Sequence, residues 1–267
     1  MSDDTVTGDA VSGVGIPPTL LTPQQYVGAV RTESAALLQA AEVAGPDAVV
    51  PSCPDWTVSD LLAHIGRVQN LAATIIERRT TDQVRFSQLE RPPEDAAARL
   101  DYARATSVRL ADALAEVAPD TPVWTFFADG TGARTAAFWQ RRQAHEATIH
   151  RYDAQLAAGD PAPVDGALAA DGVDELLTVM APRTFGERMA GEPATLHLHC
   201  TDREGEWLVR VTGSGFEVER AHAKGDVAVR GPASDLFVFA YNRRDATGLE
   251  VFGDTAVVDR WRESARL

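Results

Sequence analysis

Apolar residues recur every three to four positions along four long stretches in the first half of the chain, the spacing that puts them on one face of an α-helix. The stretches cover about residues 23–44, 57–79, 93–118 and 135–158. Thr22 precedes Pro23, and Thr57 lies three residues before Asp60, as is typical of helix N-termini. The pattern predicts a four-helix bundle over residues 19–158. Residues 1–18, which lack such a pattern, are predicted to be a disordered tail.

The pattern changes after residues 159–164, a segment with two prolines and a glycine that is predicted to be a linker. A helical stretch over 168–180 is followed by short alternating segments at 195–200, 207–212, 216–220 and 227–229, which are typical of strands. Helical spacing returns at 232–241 and 255–265, with a possible strand at 249–252. Residues 165–267 are therefore predicted to form an α+β domain with a small antiparallel sheet.

The fourth predicted helix carries a polar stripe between apolar flanks. At about 100° per residue, five side chains fall within about 40° on either side of one line along the helix, namely Trp139, Arg142, Glu146, His150 and Asp153. Three polar residues occupy the opposite side of the helix: Arg141, Arg151 and Gln155. Because apolar residues border the stripe, we expect it to face inward.

Inward carboxylate and imidazole groups need partners, since an unpaired buried charge costs several kcal/mol. One interpretation is a hydrogen-bond ladder from Arg142 through Glu146 to His150. The other is a bound cation, for which His64 on the apolar face of the second helix would supply a third ligand. Two imidazoles and one carboxylate with an open fourth position are typical of catalytic zinc. His145 points about 100° away from Glu146 and is not expected to be a ligand.

Composition narrows the class of protein. The 267-residue chain is 45% hydrophobic, enough for full cores, and its net charge of −14 argues against nucleic acid or an anionic membrane as a partner. Cys53 and Cys200 are far apart, so neither a disulfide framework nor a cysteine metal site is indicated. With neither a signal peptide nor a membrane span in the pattern, we expect a cytoplasmic protein, either a monomer or a homodimer.

Other reactive or aromatic residues have simpler interpretations. Cys53 has no base at a recognisable spacing, which favours a small buried residue over a nucleophile. Trp56 and Trp139 are predicted to be core aromatics. His197 and His199 alternate on one strand face and could bind a metal, although exposed strand residues are the default interpretation.

Two runs resemble a known family. Residues 53–64, CPDWTVSDLLAH, are similar to the N-terminal signature of the mycothiol-dependent maleylpyruvate isomerases, and residues 138–154, FWQRRQAHEATIHRYDA, are similar to their metal-bearing helix. Segments 241–244 and 249–254 resemble the family's second domain, which is related to sterol-carrier-like folds; many relatives have glycine where this chain has Asn242. The resemblance implies a two-domain α+β protein whose N-terminal part is a DinB-like four-helix bundle.

By this resemblance His64, Glu146 and His150 are the zinc ligands, the same three residues that the helical geometry suggests. Their types also suit other divalent metals. Arg243 resembles the family's arginine and could bind a substrate carboxylate bidentately, the alternative being a surface ion pair. Arg142 and Asp153, each one turn from a ligand, are expected to orient Glu146 and His150.

The function implied is a zinc-dependent enzyme that uses mycothiol as a low-molecular-weight thiol cosubstrate. Its thiolate would add to a small anionic electrophile, giving cis–trans isomerisation or S-transfer. Two alternatives stay open: a hydrolase that uses zinc-bound hydroxide, and a non-catalytic module that binds a small ligand.

Overall fold

The computed structural model describes residues 21–126 and 134–265. The predicted tail, residues 1–18, lies outside these residues. Four long helices form the first half of the molecule: α1 (Pro23–Ala44), α2 (Val58–Arg78), α3 (Ala96–Glu116) and α4 (Ala136–Ala158). Helix α1 packs mainly against α4, and α2 packs against α3. A side chain caps the start of each of the first three helices; the caps are Thr22, Thr57 and Asp95.

A small antiparallel hairpin precedes α2. Its strands are β1 (Val49–Val50) and β2 (Cys53–Thr57). The sequence pattern predicted no strand here, because Pro51 and Pro54 interrupt any alternation. The hairpin positions Trp56 directly before the first turn of α2.

The second half is an α+β domain, as predicted. It starts with α5 (Gly166–Glu175), a π-helical turn (Leu176–Met180) and the short helices α6 (Ala181–Thr184) and α7 (Gly186–Met189). The strands are β3 (Ala194–Cys200), β4 (Glu206–Thr212), β5 (Gly215–Glu219), β6 (Val227–Gly231) and β7 (Glu250–Gly253). Helix α8 (Ala233–Ala240) separates β6 from β7, and α9 (Thr255–Ser264) follows β7.

The sheet order is β5-β4-β3-β6-β7. Neighbouring strands are antiparallel except β3 and β6, which pair in parallel, so the five-stranded sheet is mixed rather than wholly antiparallel. The reason is the path of the chain: the β4–β5 hairpin extends the sheet on one side of β3, and the chain then crosses to the other side to form β6.

Helix α4 is buried on almost all sides. Its polar stripe faces inward, towards α2 and the second half of the molecule, and the opposite face is also covered. Arg141 pairs there with Asp171 and Asp174 of α5, and Arg151 pairs with Glu33 of α1. The second domain therefore supplies carboxylates to a face that a single bundle would leave to solvent.

One hydrophobic core is shared by both halves of the molecule. It contains buried residues from the bundle, such as Val30 and Trp139, together with Leu196 of β3 and Phe237 of α8. A smaller cluster around Leu37, Leu61 and Ile65 fills the end of the bundle that carries the hairpin. Among the described helices, none has an apolar run long enough to cross a membrane.

Candidate metal centre

His64 lies on α2, about two turns after its N-terminus. The turn is fixed by a capping box in which Thr57 accepts a hydrogen bond from the backbone of Asp60 and the Asp60 carboxylate accepts one from the backbone of Thr57. Trp56 packs beside the imidazole, with ring centroids 4.9 Å apart. The hairpin and the cap together direct His64 towards α4.

Glu146 and His150 lie one turn apart on α4 and meet His64 at a single carboxylate oxygen. The Nε2 atom of His64 is 3.0 Å from Oε1 of Glu146, and Nε2 of His150 is 3.3 Å from the same oxygen. The ligand atoms of all three residues lie within 4.8 Å of one another. Three groups that the sequence placed on two helices are thus brought together.

Asp153 fixes the orientation of His150. Its Oδ2 atom is 2.9 Å from Nδ1 of His150, which leaves Nε2 turned towards Glu146. The carboxylate is itself fully buried and accepts hydrogen bonds from Nε and Nη2 of Arg243, at 2.9 and 3.2 Å, and from the Ser52 hydroxyl. A histidine whose Nδ1 is engaged in this way presents Nε2 for metal binding.

Arg142 holds the other oxygen of Glu146. Its Nη2 atom donates to Oε2 of Glu146 at 2.9 Å, and its Nη1 atom pairs with Glu175 of α5 and contacts the Tyr241 hydroxyl. Oε1 of Glu146 therefore remains directed at the two histidines. The sequence pattern did not indicate Ser52, Glu175 or Tyr241, because none of them lies on the helices that carry the stripe and no local spacing connects them to it.

Charge within the site follows from these contacts. Burial alone would raise the pKa of Glu146, but hydrogen bonds with His150 and His64 hold it well below its usual range. Burial opposes protonation of His150, yet its bonds to Asp153 and Glu146 raise its pKa to about 9. Burial likewise opposes ionisation of Asp153, and the charge of Arg243 together with the bond to His150 lowers its pKa to about 2. Both carboxylates are thus ionised at neutral pH.

The site opens into a cleft of about 840 Å³ between the two halves of the molecule. The bundle contributes Trp56, His64 and Ile149 to its walls, and the second half contributes Met180, Tyr241 and Arg243. His64 is the most accessible of the three candidate ligands, with 34% of its side chain exposed, against 15% for Glu146 and 7% for His150. A small molecule can therefore approach the three groups from the side of His64.

Arg243 lies in the cleft wall, not at an exposed surface. Only 6% of its side chain is exposed, and three of its hydrogen bonds go to Asp153 and to the Tyr241 carbonyl. The preceding residue, Asn242, has a φ angle of 56°, in the left-handed region that asparagine tolerates and glycine adopts freely.

The remaining candidates have structural contacts. His145 is fully buried away from the site, with Nε2 2.7 Å from Asp171. Trp139 is a core residue that donates to the Trp124 carbonyl. Cys53 lines the cleft, but burial raises the pKa of its thiol, which keeps it protonated. Trp56, predicted to be a core residue, is part of the cleft wall.

The donor set fits a divalent transition metal. Tetrahedral ligands at about 2.0–2.2 Å from zinc lie roughly 3.3–3.6 Å apart. The separations of 3.0 and 3.3 Å between Glu146 Oε1 and the two Nε2 atoms are close to that range. The partners of Asp153 and Glu146 hold the two α4 groups in the orientation that ligation needs.

Fold and site together define a two-domain protein in which a helical bundle presents a His–Glu–His set to a cleft closed by an α+β domain. Residues 27–155 match the family model described as the mycothiol maleylpyruvate isomerase N-terminal domain, and residues 167–260 match the model of the MDMPI C-terminal domain. The two matches span most of the chain in the expected order. The chain belongs to the mycothiol maleylpyruvate isomerase family, which confirms the resemblance seen in its sequence.

Solved structures show the same fold. The chain is similar to the crystal structure of a mycothiol-dependent maleylpyruvate isomerase, with a TM-score of 0.60, and to that of a mutant of this enzyme, with a TM-score of 0.61. In both cases the identity is 14%, and the match covers 88% of this chain and 95% of the other. A search of curated proteins gave no significant match.

Proposed function

We propose that this protein is a zinc-dependent enzyme that uses a low-molecular-weight thiol, mycothiol in the first instance, to convert a small anionic electrophile by cis–trans isomerisation or S-transfer. The observation that carries the proposal is the convergence of His64, Glu146 and His150 at the inner end of an open cleft. Family membership and the names of the similar structures support the thiol and the reaction type.

His64, Glu146 and His150 would hold the metal through two imidazole nitrogens and one carboxylate oxygen. When bound there, zinc would lower the pKa of a thiol so that the nucleophilic thiolate exists near neutral pH. The protein's own groups have two tasks: Asp153 fixes the His150 ring, and Arg142 orients Glu146.

Arg243 is our candidate for binding the substrate carboxylate. A guanidinium has five N–H donors. Bonds to Asp153 and to the Tyr241 carbonyl engage one hydrogen on each of its three nitrogens, so the outer Nη1 and Nη2 hydrogens can meet an anionic group in the cleft. In this role one guanidinium links the anion to the Asp153–His150 pair.

The test of the function is turnover of maleylpyruvate with and without mycothiol. Glu146→Gln keeps the size of the side chain but removes its charge. The variant should lose the zinc of the cleft site and, with it, the thiol-dependent turnover. Glu77→Gln is the matched control, because Glu77 is a partly exposed carboxylate on α2 that pairs with Arg109 outside the cleft; it should retain both. Equal rates with and without thiol would refute thiol use, and hydrolysis products would favour metal-assisted hydrolysis instead.

The role of Arg243 needs a separate readout. Arg243→Lys retains a positive charge beside Asp153 but loses the second pair of N–H donors. We expect a raised KM for a dicarboxylate substrate with zinc content unchanged. An unchanged KM would contradict carboxylate binding, and loss of zinc from the cleft site would instead show that Arg243 acts by holding Asp153.

A further inference from the structure

A second convergence of imidazoles lies on the sheet of the α+β domain, outside the cleft. Three histidines surround one oxygen of Glu206: its Oε2 atom is 3.1 Å from Nε2 of His197, 3.3 Å from Nδ1 of His199 and 2.7 Å from Nδ1 of His222. The three imidazole rings are also mutual neighbours, with centroids 5.8 to 6.1 Å apart.

Strand register explains why these residues meet. His197 and His199 are two apart on β3 and therefore share the face opposite to Leu196 and Leu198, which lie in the shared core. Glu206 is the direct partner of His199 on the neighbouring antiparallel strand β4. His222 comes from the segment that leaves β5 and crosses back over this face. The sequence shows the alternation of the two histidines but neither the register nor the crossing.

Burial distinguishes this cluster from scattered surface histidines. Only 7% of the His197 side chain is exposed, against 22% for His199 and 25% for Glu206. The sequence pattern favoured exposed strand residues here, but His197 is buried, and its direct partner on β4, Leu208, is buried as well. His222 is the accessible member, with 82% of its side chain exposed, so an ion can enter from its side.

Hydrogen bonding alone does not account for the arrangement. The two lone pairs of Glu206 Oε2 are taken by hydrogen bonds from His197 and His222, and the third imidazole, His199, lies 3.3 Å away without forming a hydrogen bond to it. A cation between His197, His199 and Glu206, whose ligand atoms lie within 4.8 Å of one another, would satisfy all three groups at once. The separations of 3.1 and 3.3 Å from Oε2 to these two histidines are close to the roughly 3.3–3.6 Å between ligand atoms of a tetrahedral zinc site.

We propose that His197, His199 and Glu206 form a second binding site for a divalent transition metal, with two imidazole nitrogens and one carboxylate oxygen as ligands and with His222 beside the carboxylate at the exposed side of the site. Imidazole ligands of this kind suit zinc, copper or nickel ions. Because the site joins neighbouring strands of the sheet, we assign it a structural role. It ties β3 to β4, and it does not depend on the chemistry of the cleft.

Zinc stoichiometry tests this proposal separately from the proposed function. Full-length protein without an affinity tag is stripped of metal and titrated with Zn²⁺ against a chromophoric chelator. The unmodified protein should bind two equivalents, His199→Ala one, His64→Ala one, and the double variant none. Glu206→Gln keeps the shape of the side chain and should also lose one equivalent of zinc. This second variant shows that the loss in His199→Ala does not come from a folding defect.

Glu219→Gln is the matched control, since Glu219 is an exposed carboxylate on β5 that pairs with Arg210 rather than with the histidines. Glu219→Gln should retain two equivalents of zinc. If it lost one, the second equivalent would be explained by unspecific binding to an acidic surface. Retention of the second equivalent in both His199→Ala and Glu206→Gln would overturn the proposal. An unchanged stoichiometry in His64→Ala would instead count against the cleft site alone.

Discussion

Replacement of Asp153 by asparagine should disable metal binding through the tautomer of His150. The fully buried carboxylate serves His150 and the positively charged Arg243 at once. An asparagine must turn its single carbonyl oxygen towards the guanidinium, because an amide NH₂ facing that charge would be repelled. The NH₂ then donates to Nδ1 of His150, which moves the ring proton to Nε2, the atom that should ligate the metal.

The expected magnitude follows from the loss of one orienting partner. Removing such a partner lowers metal affinity by roughly 10–100-fold, or about 1.4–2.7 kcal/mol. Stability falls as well, because Arg243 keeps a buried charge without a carboxylate; removal of one partner of a buried ion pair costs about 3–5 kcal/mol. Zinc affinity is measured by chelator competition in the His199→Ala background, so that only the cleft site is titrated, and stability is measured by urea unfolding of metal-free protein.

Asp171→Asn, on the neighbouring helix α5, provides a matched control. Asp171 is also a buried carboxylate, bonded to His145 of α4 at 2.7 Å and to Arg141 at 3.1 Å, but it has no contact with the cleft. It should lose a similar amount of stability and keep its zinc affinity. The tautomer argument is refuted if Asp153→Asn binds zinc as tightly as the parent, or if Asp171→Asn weakens zinc binding equally.

Three further outcomes are expected. Because the pKa of His150 is about 9 in the metal-free protein, zinc binding must displace a proton, and zinc affinity should fall as the pH falls below 9. Calorimetry in buffers of different ionisation enthalpy measures this proton release. A binding enthalpy that does not depend on the buffer would contradict it. Zinc at a free concentration of 100 times its Kd should raise the free energy of unfolding by about 2.7 kcal/mol per site, as measured by urea unfolding. In His64→Ala the stabilisation that comes from the cleft site should be absent. Gly172→Ala should destabilise the protein by about 1–3 kcal/mol, because a Cβ there would lie 2.3 Å from Phe237. Gly28→Ala, at an exposed position of α1, places its Cβ where no atom lies within 4 Å and should raise the free energy of unfolding by about 0.5–1 kcal/mol.

Much of the architecture could be predicted from periodicity. The spacing of apolar residues gave four helices close to their actual ends, and Thr22 and Thr57 marked two of the starts because capping is a local interaction. The β1–β2 hairpin was missed, since two prolines in a short segment favour a loop. The parallel pairing of β3 with β6 depends on where the chain crosses the sheet, which alternation within a strand cannot show.

The candidate site likewise combines contacts that the sequence predicts with contacts that it does not. Glu146, His150 and Asp153 share one helix face, so their proximity follows from helical geometry, and the inward face of α2 brought His64 into consideration. Their role as metal ligands stays a prediction. The contact between Arg142 and Glu175, by contrast, joins residues of different domains. The periodicity of α4 could not show that a second domain would supply a partner to the polar stripe.

Diffraction from zinc-replete crystals at the zinc absorption edge tests the central claim most directly. An anomalous peak should lie about 2.0–2.2 Å from Nε2 of His64, Nε2 of His150 and Oε1 of Glu146. Zinc bound elsewhere, with no peak among these three atoms and with His64 turned away from Glu146, would contradict the account.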